Sequence, residues 1–194
     1  MDEDAEGFVV TLRQRLQNAI RPSATRSGAA LWAKSLLNAV IFFTLFMLAL
    51  PWLAGRLLPM ALPAPGALRT GLAGVLASAG IAAWIACLDV FSRKGRGTPL
   101  PADAPRRLVT SDLFARSRNP IMSAELLVIW AEALYVGSLG VGLYALLISA
   151  LAHASVVYVE EPELRRRFGQ AYTDYCARVP RWLPRLRGTR SVVR

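Results

Sequence analysis

The sequence predicts an all-α fold, an integral membrane helical bundle with about four transmembrane helices and a C-terminal amphipathic cytoplasmic helix. Three observations carry that expectation. Of 194 residues, 54% are hydrophobic and only 19% charged, which is too apolar for a soluble domain of this length. Apolar runs close to the bilayer-spanning length recur along the chain. Lys and Arg gather between those runs with a one-sided bias.

The first segment, residues 1–34, begins MDEDAEG, acidic where a secretory signal needs a basic start, so no cleavable signal is expected. Within it Phe8, Leu12, Leu16 and Ile20 recur every fourth residue, which suits an amphipathic cytoplasmic helix lying in the membrane interface. Residues 35–91 hold two spans, Ser35 to Ala54 and Leu72 to Phe91, joined by GRLLPMALPAPG, whose prolines mark a short turn. Residues 92–194 hold a long polar loop, two further spans (Ile121 to Ser138 and Gly142 to Val159) and a basic tail. Gly137, Ser138, Gly140 and Gly142 leave room only for a tight antiparallel hairpin between the last two spans.

Orientation follows from counting cations. The N-terminal segment carries five Lys and Arg, the middle loop seven and the tail nine, whereas the other side carries only Arg56 and Arg69. This split puts both termini and the middle loop in the cytoplasm, the membrane being the inner or plasma membrane if the chain is bacterial. The net charge of +10 flanks apolar runs, so its partners are anionic membrane lipids and not nucleic acid. Cys87 and Cys176 have no metal-ligand spacing to each other or to His153, so no metal site or disulfide framework is expected.

Charged groups inside a membrane are costly and mark function. Glu125 and Glu132 lie seven apart on one face of the third span, and His153 and Glu160 lie seven apart in the fourth. In an antiparallel hairpin Glu125 and His153 fall at similar depth, roughly 10 Å inside the cytoplasmic end at about 1.5 Å per residue. Asp89 reads as a solvated or Arg-paired helix end. Asn119 and Pro120 read as an N-cap followed by a first-turn proline, which holds Arg118 at a helix start suited to an anion. In VYVEEPELRRRFG, Glu160 and Glu161 hang at the cytoplasmic mouth and Pro162 starts a helix at an angle to the span. Along that helix Leu164, Phe168, Tyr172, Tyr175 and Val179 make an apolar stripe, while Arg165, Arg166 and Arg167 face lipid or water. Carboxylates on one rim and Arg118 on the other suit a zwitterionic ligand.

These residues carry a resemblance. GRGTP, PRRLV and RNP, then the apolar hairpin, then EEPELRRRFGQAYTDYCARVPRWLPR resemble the superfamily of isoprenylcysteine carboxyl methyltransferases and phospholipid methyltransferases, over about Gly95 to Arg185. The resemblance implies S-adenosylmethionine as cofactor and a lipophilic methyl acceptor. It implies cofactor contacts from Arg118 and Pro120 of an Arg-x-Pro motif, Met122, His153, the pair Glu160 and Glu161, and Tyr172 and Arg178 of the tail. Arg118 and Glu125 are the candidate catalytic residues, Glu125 as base for an amine acceptor. The chain departs from the pattern at Asp112 and Phe114, where relatives usually read Gly-x-Tyr, and at Met122 and Ala124, where they read Tyr and Gly. A nicotinamide-dependent membrane reductase of the sterol reductase type, and a non-enzymatic membrane protein, are the competing readings. Gly137-x-x-Gly140-x-Gly142 has no strand before it and reads as helix packing, not as a nucleotide-binding turn.

Overall fold

The computed structural model describes residues 37, 40–61, 66–90 and 108–183. The amphipathic N-terminal segment, the GRGTP part of the middle loop and the last residues of the tail lie outside them. The chain divides into two compact units, one containing residues 26–87 and 119–151, the other residues 1–25, 88–118 and 152–194. Regular structure among the described residues is helical, apart from one antiparallel bridge between Ala61 and Ser138. The helices are α1 (Val40–Leu57), α2 (Gly66–Val90), α3 (Pro120–Val136), α4 (Leu139–Phe168) and α5 (Gln170–Arg178).

Among the described residues three helices, α1, α2 and α4, are long and apolar enough to cross a membrane. The expected third span, α3, has 17 residues. At 1.5 Å per residue it is about 25 Å long, short of the roughly 30 Å hydrocarbon core.

In the first unit the core is built from α1, α3 and α4. Met47, Ile129, Ala133, Val141, Tyr144 and Ala145 are buried together, with Phe42, Phe43 and Leu50 packed against them. The Tyr144 hydroxyl donates to the Phe46 carbonyl at 2.6 Å, so its polar end is satisfied in an apolar setting. The hairpin is as tight as expected. Gly137 closes α3 in the left-handed region at φ 65°, a conformation glycine adopts without a Cβ clash, and Leu139 already begins α4. Trp130 donates to Ser149 at 3.1 Å, which fixes the antiparallel register of α3 and α4.

Small residues set how close these helices come. A Cβ on Gly140 would collide with the Ala54 carbonyl of α1, and one on Gly80 would come within 2.8 Å of the Ala124 carbonyl. Ala124, one of the departures from the resembled pattern, is buried, and its backbone meets α2 at Gly80. Gly140 is thus a packing residue.

Two π-helical turns interrupt these helices, and each precedes a proline. In α1 the Leu50 N–H reaches back to the Leu45 carbonyl ahead of Pro51; in α4 the Glu161 N–H reaches the Val156 carbonyl ahead of Pro162. A proline lacks an N–H and its ring crowds the carbonyl four residues back, so a widened turn takes up the mismatch without ending the helix. Pro162 therefore does not start a separate helix. The helix runs on to Phe168, and the break comes at Gly169, with φ 53°.

Candidate functional site

The polar residues of the second unit converge on Glu161. Its side chain is 5% exposed and carries three guanidinium partners: Arg181 with Nε at 2.6 Å, Arg118 with Nη1 at 3.1 Å and Arg165 at 3.7 Å. Arg181 is bidentate, its second nitrogen donating to the other carboxylate oxygen at 3.1 Å. That hydrogen bond holds the Arg181 guanidinium above its ordinary range.

Backbone geometry brings the partners together. The Arg118 N–H donates to the Pro180 carbonyl at 2.9 Å, Ser117 Oγ donates to the Arg181 carbonyl at 3.2 Å, and the buried Tyr175 hydroxyl donates to the Phe114 carbonyl at 2.6 Å. Three bonds thus clip the segment before Arg118 to the tail. Beneath them Tyr172, Tyr175 and Val179 form a small core with Leu108, Leu164 and Phe168, the predicted stripe. Burial pushes the hydroxyls of both tyrosines well above their ordinary range. Arg118 also donates to Cys176 Sγ at 2.8 Å, while its Nε is buried with no hydrogen-bond partner among the described residues.

The departures at Asp112 and Phe114 are explained locally. Asp112 has φ 58°, the left-handed region where glycine is at ease and aspartate is one of the tolerated substitutes. Phe114 is buried, and what its neighbour Tyr175 needs from it is the backbone carbonyl.

The site residues expected from sequence divide into groups. Arg118 and Glu161 meet. Tyr172 lies in the core beside them. Glu160 is half-buried and, among the described residues, has no hydrogen bond or ion pair. His153 is exposed and accepts the Trp182 indole N–H through Nδ1 at 3.0 Å. Arg178 is exposed and donates to the Asp174 carbonyl of its own helix. Pro120 is buried at the start of α3, with Met122 partly buried one turn on. Asn119 occupies the cap position, but its side chain makes no cap hydrogen bond. Glu125 belongs to the other unit, where it is hydrogen-bonded to Trp84. Asp89 is exposed in the last turn of α2. Arg165 to Arg167 are less idle than expected: Arg166 pairs with buried Glu163 at 2.6 Å and Arg167 covers the Phe168 ring.

Arg181 and Trp182 are absent from the sequence reading. An unbroken α-helix puts His153 in phase with Glu160, seven residues on. The π turn at Val156–Glu160 inserts one extra residue, so His153 comes into phase with Glu161 instead. Consecutive tail residues then reach both: Arg181 takes Glu161 and Trp182 takes His153. The run PRWLPR after the apolar stripe is the signal that could have found them.

An all-helical membrane protein with an arginine-clamped carboxylate at the polar end of its last long helix is the class these features define. A family model described as phospholipid methyltransferase matches residues 71–171, just over half of the chain. The chain belongs to the phospholipid methyltransferase family, so its function is that of a membrane methyltransferase. Comparison with curated proteins finds no match.

Proposed function

We propose that the protein transfers a methyl group from S-adenosylmethionine to a lipid-like acceptor, with isoprenylcysteine carboxyl O-methylation and phospholipid N-methylation as the acceptor chemistries. The observation that supports the cofactor assignment is the Arg118 guanidinium, whose Nε is buried with no hydrogen-bond partner among the described residues, together with the carboxylate of Glu160, one residue before its ion-pair partner Glu161. A buried donor with no acceptor is destabilising unless a ligand satisfies it. S-adenosylmethionine carries a carboxylate and an ammonium, which match these two groups, and when bound it supplies an electrophilic methyl on sulfonium.

In this reading Arg118 binds the carboxylate end and is held in place by Glu161. Glu161 is thereby a positioning residue, and Arg181 secures it. Glu160 takes the ammonium. His153, Tyr172 and Arg178 are assigned to the surrounding wall. An amine acceptor would need a base, the role expected of Glu125, whereas a carboxylate acceptor needs none. Positioning and exclusion of water do most of the work in methyl transfer, which agrees with a site built from arginines and tyrosines.

Calorimetry on the purified protein with S-adenosylmethionine and with NADPH tests the reading. Binding of S-adenosylmethionine alone, with labelled methyl passing into a membrane lipid extract, is the expected result. Binding of NADPH alone would make the chain a reductase, and binding of neither would make it non-enzymatic.

A further inference from the structure

His153 is the chain's one histidine, and the tail meets its ring through a single hydrogen bond. The Trp182 indole N–H donates to Nδ1 at 3.0 Å, and among the described residues the imidazole makes no other. An indole nitrogen only donates, so Nδ1 must present its lone pair. In a neutral imidazole the other nitrogen then carries the proton, which places it on Nε2. Neither nitrogen is left with a free lone pair: that of Nδ1 is taken, and Nε2 offers a hydrogen. A histidine held in this way donates a hydrogen bond, and it cannot accept a proton without first giving up Trp182.

The tail holds Trp182 without help from His153. The two carbonyls before it are both occupied, that of Pro180 by the Arg118 N–H at 2.9 Å and that of Arg181 by Ser117 Oγ at 3.2 Å. The Arg181 side chain is fixed on Glu161 at 2.6 Å. The indole is thus aimed before it bonds, and little conformational entropy is lost when it does. Neighbouring tail residues thereby tie the histidine to the carboxylate that pairs with Arg118. We propose that Trp182 is a positioning residue that keeps His153 as an Nε2–H donor, and that His153 offers this N–H, not a basic nitrogen, to the bound cofactor. The ligand half of the proposal rests on the S-adenosylmethionine reading, in which His153 belongs to the wall. An exposed N–H there suits an oxygen or neutral nitrogen of the cofactor and leaves proton removal to another group.

The test is nuclear magnetic resonance on the full chain in detergent, in mildly alkaline buffer, with imidazole and indole nitrogens isotopically labelled. One histidine gives one imidazole spectrum. It should show a protonated Nε2 and a bare Nδ1 coupled across the hydrogen bond to the Trp182 nitrogen, and Trp182→Phe, which keeps an aromatic ring and loses the N–H, should abolish that coupling. S-adenosylmethionine is the probe for the ligand half, read by calorimetry. His153→Phe weakens its binding by roughly three- to tenfold, the effect of one hydrogen bond, and His153→Gln, which returns an N–H near the Nε2 position, recovers most of it. Trp182→Phe weakens binding severalfold in the wild type and adds nothing in the His153→Phe background. A proton on Nδ1, a Gln variant no better than the Phe variant, or full additivity of the two Phe substitutions overturns the proposal. If S-adenosylmethionine does not bind the wild type, the cofactor reading falls and the donor role falls with it. The imidazole spectrum, read without any ligand, tells that failure from an error in the tautomer. Should Trp182→Phe fail to fold, the wild-type spectrum and the two His153 variants still decide.

Discussion

Arg118 is the residue on which the site reading turns, and its chemistry separates a gripping arginine from an anchoring one. A lysine keeps the charge and loses the planar fork. Arg118→Lys should therefore weaken S-adenosylmethionine binding by roughly ten- to a hundredfold, the loss of a charged hydrogen bond. Arg166→Lys should change it little, because Arg166 is 63% exposed and surface pairs contribute about 0–1 kcal/mol. Calorimetry on the two variants in parallel checks this, and equal behaviour would make Arg118 one more basic surface residue. Glu161→Gln should lower stability as well as binding, by about 1.5–3 kcal/mol, because it takes the counter-charge from Arg118, the most enclosed of its three guanidinium partners. Thermal unfolding in detergent would register the loss, whereas Glu160→Gln should leave the melting temperature unchanged and weaken binding only. That a carboxylate pair stands where the last apolar run ends was legible in the sequence. Which of the two faces inward was not, because the answer depends on a π turn that no residue pattern announces.

At the scale of elements, sequence patterning located the helices well and their ends poorly. Gly137 marked the hairpin because only a residue at ease with positive φ closes α3 there. Pro162 misled, since proline ends most helices and here is absorbed by a widened turn. Pro162→Ala removes the reason for that turn. In an ordinary α-helix Glu161 would swing about 100° from its present direction, so its pairing with Arg118 and Arg181 should be lost. The expected outcome is a less stable tail, seen as faster backbone hydrogen exchange over Gln170–Arg178. Gly140→Val tests the packing element. The added side chain meets the Ala54 carbonyl, and overpacking of this kind costs about 1–3 kcal/mol. A lower melting temperature is expected, and an unchanged one would mean that α1 and α4 can part without loss.

For the whole molecule, composition pointed to the membrane class and the helical fold, and the motifs of the second half pointed to the family that the match over residues 71–171 shows. The orientation rests on the cation count. Reporter tags at both termini should read cytoplasmic and one inserted at Pro63 should read on the opposite side, since only Arg56 and Arg69 lie there. A cytoplasmic reading at Pro63 would refute the four-span arrangement. What composition could not supply was the pairing of distant groups, because the contacts that make the Glu161 cluster join residues with no shared pattern.

The three bonds that clip the Phe114–Arg118 segment to the tail join partners about sixty residues apart in the chain. Their separation gives the protein an order of assembly during synthesis. All of its apolar helices are made before Pro180 leaves the ribosome, so a nascent chain can be fully inserted while Arg118 still lacks the carbonyl that seats it. Competence for the proposed cofactor would then be acquired only once the tail up to Pro180 has been made. A chain stopped after Phe168 should integrate into membranes normally, yet be cut by protease between Leu108 and Arg118, where the complete protein resists.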